Sequence, residues 1–89
     1  MAKFSAIITD KVGLHARPAS VLAKEASEFS SNITIIANEK QGNLKSIMNV
    51  MAMAIKTGTE ITIQADGNDA DQAIQAIKQT MIDTALIQR

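Results

Sequence analysis

The chain has 89 residues, 46% of them hydrophobic, with only Phe4 and Phe29 aromatic and nine basic residues cancelling nine acidic ones. One domain spanning 1–89 is expected, burying roughly 60–65% of its unfolded surface around an aliphatic core supplied by fourteen Ala and thirteen Ile. The cancelled charge argues against a nucleic-acid partner, and the lack of a long apolar run or a signal-like start predicts a cytoplasmic protein without membrane insertion; with no Cys and a single His, no disulfide, metal site or cofactor is expected.

Phe4, Ala6 and Ile8 alternate with more polar positions and predict a first strand, closed by a turn around Asp10, Lys11 and Gly13. Ala16, Ala19, Leu22, Ala23, Ala26 and Phe29 then recur at three- and four-residue spacing, the stripe of an amphipathic helix that Ser30, Ser31 and Asn32 end. The period next falls to two. Ile33, Ile35 and Ala37 alternate with Thr34 and Ile36, and the polar stretch from Asn38 to Gly42 turns the chain into a short strand near Gln41 to Leu44. Ser46 is placed to N-cap a brief helix carrying Ile47, Val50, Met51 and Ala54, with Gly58 where the chain leaves helical geometry. Ile61, Ile63 and Ala65 against Glu60, Thr62 and Gln64 predict a strand with one buried face, turned out by Asp66 and Gly67. Asn68 or Asp69 is expected to cap a last helix with Ala70, Ala73, Ile74, Ile77 and Met81 facing the core and Asp71 in its first turn.

The order βαββαβα predicts an α+β fold, an open-faced sandwich whose three helices cover one face of a largely antiparallel four-stranded sheet. Placing strand four between strands one and two, to give the order 1-4-2-3, lets each helix return across the same face with right-handed crossovers.

The only His, the only Pro and one of two Arg fall within the run Gly13-Leu14-His15-Ala16-Arg17-Pro18-Ala19-Ser20. His15 precedes the first helix where an N-cap would sit, next to unpaired first-turn amides of residues such as Ala16 and Arg17 that favour an anion. Arg17 adds a permanently charged fork of donors, and Pro18 lacks an amide only where the helix needs none. A neutral imidazole there can attack phosphorus and would hold the product beside cationic groups. A phosphohistidine without a neighbouring metal or nucleotide site suits a relay, a phosphoryl-transfer intermediate rather than a self-contained enzyme. The plainer reading makes His15 a loop residue, Pro18 a helix starter and Arg17 a solvated charge.

The run from Gly13 to Ala19 resembles the active-site signature of the HPr family, the histidine-containing phosphocarriers of the bacterial sugar phosphotransferase system. Leu44-Lys45-Ser46-Ile47-Met48 resembles that family's second signature, around its regulatory serine, and the likeness extends along nearly the whole chain. The resemblance implies that His15 accepts a phosphoryl group on Nδ1 from phosphorylated enzyme I and passes it to sugar-specific IIA domains. It further implies that Arg17 steadies the active centre, and that a serine kinase/phosphorylase acts on Ser46 in regulated relatives. An ordinary N-cap would also account for Ser46. Asn49 and Ala54 stand where many relatives carry glycine, which bears on the second helix and its exit.

Ile47, Met48 and Met51 form a candidate apolar docking patch, with Val50 or Met51 turned to the core and Ile47 and Met48 at least partly outward. A monomer is expected. Two other functional classes fit less of the chain: a catabolite-regulatory paralogue typically lacks the histidine, and a small binding module for carboxylates leaves the Ser46 motif without a role.

Overall fold

A computed structural model describes residues 1–88 and leaves Arg89 outside the described residues. Its elements run β1 (Ala2–Ile7), α1 (Ala16–Ala26), β2 (Asn32–Ala37), β3 (Lys40–Asn43), α2 (Ile47–Ala52), β4 (Glu60–Asp66) and α3 (Ala70–Asp83). The four strands form one antiparallel sheet in the order β1-β4-β2-β3, the expected topology.

The register explains why the sheet has a core face and an open face. Phe4 lies opposite Ile63, Ile63 opposite Ile35, and Ile35 opposite Gly42, so one row crosses all four strands toward the helices. Because side chains alternate along a strand, the neighbouring row of Ser5, Thr62, Ile36 and Gln41 points the other way. There Ser5 and Thr62 join their hydroxyls at 2.8 Å across the β1–β4 pair. Ile33, Ile35, Ile61 and Ile63 are buried and meet Leu22 of α1 and Ile77 and Met81 of α3 in one continuous core. Each fully buried aliphatic side chain of this size contributes about 1.5–3 kcal/mol, so the aliphatic core stabilises the fold without aromatic bulk.

Several local expectations change in the folded chain. Ala16 begins α1 but is exposed, since the core stripe starts at Pro18 and Ala19. The helix ends at Ala26, and Phe29 sits half-buried in the following turn. In α2, Val50 takes the inward position and Met51 remains outside. Ala54 is not on a buried helical stripe: at φ +50° it occupies the left-handed region and is itself the point where the chain leaves helical geometry, while Gly58 at φ +85° serves the later turn into β4. Ala54 thus reproduces the backbone that a glycine would adopt, at the steric cost an L side chain carries there.

Asp69 is the N-cap residue of α3, yet its side chain makes no capping bond. Its carboxylate turns back to the α1–β2 connection, where it accepts hydrogen bonds from Ser30 N–H (2.9 Å), Ser31 N–H (3.0 Å) and the Ser30 hydroxyl (3.3 Å). It also accepts a short bond from the hydroxyl of Ser31, the one buried polar residue among the described residues. Those donors, the Ser31 hydroxyl foremost, hold the carboxyl well below its ordinary range, at about 2.

Candidate functional site

The loop between β1 and α1 is fastened from both sides. Thr9 N–H and Asp10 N–H donate to the Leu86 carbonyl (2.9 and 3.3 Å), and Leu14 N–H donates to the Ile55 carbonyl (3.0 Å). Within the loop, Val12 N–H donates to Asp10 Oδ1 (2.8 Å) and Gly13 N–H to the Asp10 carbonyl (3.0 Å), an Asx-type turn closed by a left-handed glycine. Leu14 is buried, which leaves the next residue at the surface.

That residue is His15, the N-cap of α1, in extended backbone and with no side-chain capping bond. Its carbonyl accepts from Ala19 N–H (3.0 Å), so the backbone starts the helix while the imidazole remains available. Pro18 brings no amide to the first turn, and among the described residues the amides of Ala16 and Arg17 find no acceptor within the chain. The first turn of α1 also contains no acidic residue. Two free N–H groups, the positive end of an eleven-residue helix and the exposed Arg17 side chain are therefore all found at the end of α1 that carries His15. Asp10, His15, Arg17, Pro18, Val21 and Thr84 line a hollow of about 290 Å³.

One partner of the histidine was not visible in the sequence pattern. Asp10 Oδ2 stands 3.8 Å from His15 Nε2, with the imidazole side chain 36% and the carboxylate 23% exposed. An acidic residue in the turn before the histidine was the available signal, but only the folded loop brings the two side chains together. Val12 and Val21, both exposed apolar residues near the histidine in sequence, were likewise not singled out.

Ser46 N-caps α2: its Oγ accepts from Asn49 N–H at 3.2 Å, and Asn49 Oδ1 in turn accepts from Asn43 N–H at 3.2 Å. The neighbouring Lys45 Nζ donates to the Phe29 carbonyl at 2.7 Å, tying the start of α2 to the turn after α1. Ile47, Met48 and Met51 are all exposed, Met48 at 81%. They lie on the helix that packs against α1, whose N-terminus holds His15.

Among the described residues no cluster of three or more metal-ligating side chains occurs, and no helix is long and apolar enough to cross a membrane. The open-faced sandwich and the N-cap histidine at the start of α1 define a class of small domain with one histidine beside unpaired helix amides. The family model described as "PTS HPr component phosphorylation site" matches residues 2–83. The chain is 99% identical over 88 residues to the phosphocarrier protein HPr of Mycoplasma capricolum subsp. capricolum, covering 99% of each chain. It is 52% identical over 79 residues to that of Mycoplasma genitalium, covering 88% of this chain and 90% of the relative. A solved histidine-containing phosphocarrier protein of Mycoplasma superposes with a TM-score of 0.98 at 98% identity, covering 99% of this chain and 100% of that one. The chain belongs to the HPr family of phosphocarriers of the phosphotransferase system.

Proposed function

We propose that His15 is the residue that carries the phosphoryl group, accepting it from phosphorylated enzyme I and passing it to sugar-specific IIA domains. The observation that supports this best is an N-cap histidine whose side chain is not used for capping, above the unpaired amides of Ala16 and Arg17. Those two amides bind the phosphoryl oxygens, and Arg17 offsets their charge. Ile47, Met48 and Met51 supply an adaptable apolar surface to both donor and acceptor, and a phosphate on Ser46, placed by a serine kinase, regulates docking at that surface. The chain acts in the cytoplasm as a monomer and as one domain over 1–89, because a relay must show the same face to two partners in turn. The test is a two-step relay: the protein is charged with phosphoenolpyruvate and enzyme I, freed of both, and mixed with a purified IIA domain. Loss of the phosphoryl group from this chain with its appearance on the IIA domain is expected; a charged protein that delivers to no IIA domain would overturn the carrier role.

A further inference from the structure

Asp10 faces the ring nitrogen opposite the one proposed to react, and its position is fixed by more than one bond. Its Oδ1 accepts from Val12 N–H (2.8 Å), its backbone N–H donates to the Leu86 carbonyl (3.3 Å) and its carbonyl accepts from Gly13 N–H (3.0 Å), which leaves Oδ2 aimed at His15 Nε2 at 3.8 Å. The other side chains lining the same hollow are Arg17, Pro18 and Val21 of α1 and Thr84 after α3. Among the described residues Asp10 is therefore the one carboxylate in the hollow and Arg17 the one cation.

We propose that Asp10 is a positioning residue for phosphoryl transfer: it holds the imidazole proton on Nε2, which frees Nδ1 to react, and it stabilises the positive ring that exists while Nδ1 carries phosphate. The inference rests on the reading of His15 as the phosphoryl carrier. In the forward step the Nδ1 lone pair forms the new N–P bond as the donor's bond to phosphorus breaks, and that bonding pair leaves with the donor. The ring keeps its Nε2 proton and becomes a phosphoimidazolium, with Asp10 opposite the new positive charge. In the onward step the N–P pair returns to Nδ1 and the ring leaves as neutral imidazole, still protonated at Nε2. No proton has to move in either direction. Without the Nε2 proton the leaving group would be an imidazolide anion, a far poorer one, so a carboxylate that retains the proton keeps the phosphoryl group transferable. At 3.8 Å the carboxylate is within ion-pairing distance of Nε2 but beyond direct hydrogen-bond contact, so it acts on the ring electrostatically.

The test compares wild-type protein with Asp10→Asn, whose side-chain oxygen still accepts from Val12 N–H and so preserves the turn. Ring-nitrogen NMR of the free, ¹⁵N-labelled proteins in mildly alkaline solution reads the neutral tautomers. The wild type is expected to hold the proton almost wholly on Nε2, and Asp10→Asn to shift the tautomer ratio by about three- to tenfold toward Nδ1–H. The second readout is the pH profile of spontaneous hydrolysis after charging with phosphoenolpyruvate and enzyme I. Removing the carboxylate should destabilise the positive ring that leaves most readily, so that the phosphoryl form of Asp10→Asn lives longer near neutrality. Coincident tautomer ratios and coincident hydrolysis profiles in the two proteins overturn the role of Asp10. A wild type that takes up no phosphoryl group refutes the reading of His15 instead, and the tautomer measurement then still decides whether Asp10 orients the ring.

Discussion

Gly13 stands so close to Ile55 that a Cβ built on it would lie 2.6 Å from the Ile55 carbonyl oxygen and 3.0 Å from Lys56 Cα, both backbone atoms. At φ +84° it also occupies the left-handed region. The next amide, Leu14 N–H, donates to the same Ile55 carbonyl, so the loop before His15 is docked by its backbone on the segment that follows α2. Gly13→Ala is expected to lose about 1–3 kcal/mol, because dihedral strain and the clash act together. For a domain of this size each kcal/mol lowers Tm by roughly 4–8 °C, which thermal unfolding reads directly. Phosphoryl uptake should fall as well, since the loop cannot relax without moving His15; an unchanged Tm would show that the segment after α2 yields to accommodate a side chain.

Arg17 is exposed, in contrast to the buried Pro18 and Ala19 beside it. Arg17→Ala should therefore leave Tm nearly unchanged while slowing phosphoryl transfer about tenfold or more, as loss of a charged group near a transferring phosphoryl group does. Arg17→Lys should recover part of the rate, since it restores the charge without the planar fork. Stopped transfer with a collapsed Tm would instead make Arg17 a structural residue.

Asp69 ties the start of α3 to Ser30 and Ser31, and its carboxyl is lowered from 3.8 to about 2 by those hydrogen bonds. A carboxyl depressed in the folded state stabilises the fold above its unfolded value. That contribution is complete above pH about 4 and is lost as the pH falls toward 2. Denaturant unfolding between pH 2 and pH 7 should show Asp69→Asn to be less stable than wild type at neutral pH, with the difference shrinking through this acid window. A difference that stays constant down to pH 2 would assign the effect to packing around Ser31.

Ser46 Oγ accepts from the Asn49 N–H, so Ser46→Ala should cost about 0.5–2 kcal/mol from the lost cap. Ser46→Asp keeps an acceptor there and adds negative charge at a helix start, so its Tm should stay close to wild type. The charge borders Ile47 and Met48, which a docking partner would have to cover, and uptake at low enzyme I should slow in the aspartate variant alone. Higher enzyme I should partly restore it. Equal slowing in both variants would point to the cap rather than to charge.

The features legible in the sequence were those carried by periodicity and by turn chemistry. The alternation of Ile33, Ile35 and Ala37 and of Ile61, Ile63 and Ala65 gave the buried strand faces, whereas the strand order rested on the preference for right-handed crossovers over one face and not on periodicity. His15 and Arg17 stood out because rare residue types coincided with a predicted helix start, and Ser46 because a capping residue there fell within the run that resembles the family's second signature. Contacts between residues far apart in sequence left no periodic trace. Asp69 reads as a helix cap in any local window, yet Ser30 and Ser31, thirty-nine and thirty-eight positions away, offer it more donors than the helix start does. Ala54 likewise looks like a helical core residue until its left-handed dihedral is seen. Asp10 precedes His15 by five residues, but it is the Asx turn and the tie to Leu86 that aim its carboxylate at the ring.

The role of His15 is tested most directly by intact-mass measurement of the wild type and of His15→Ala after incubation with phosphoenolpyruvate and enzyme I. Because His15 is the only histidine in the chain, no second ring can substitute for it. The wild type should gain the mass of one phosphoryl group, which is removed by mild acid and survives alkali, as a phosphoramidate bond requires. His15→Ala, folded by thermal unfolding, should gain none. Equal labelling of the folded alanine variant would contradict the account, since the phosphoryl group would then be carried elsewhere.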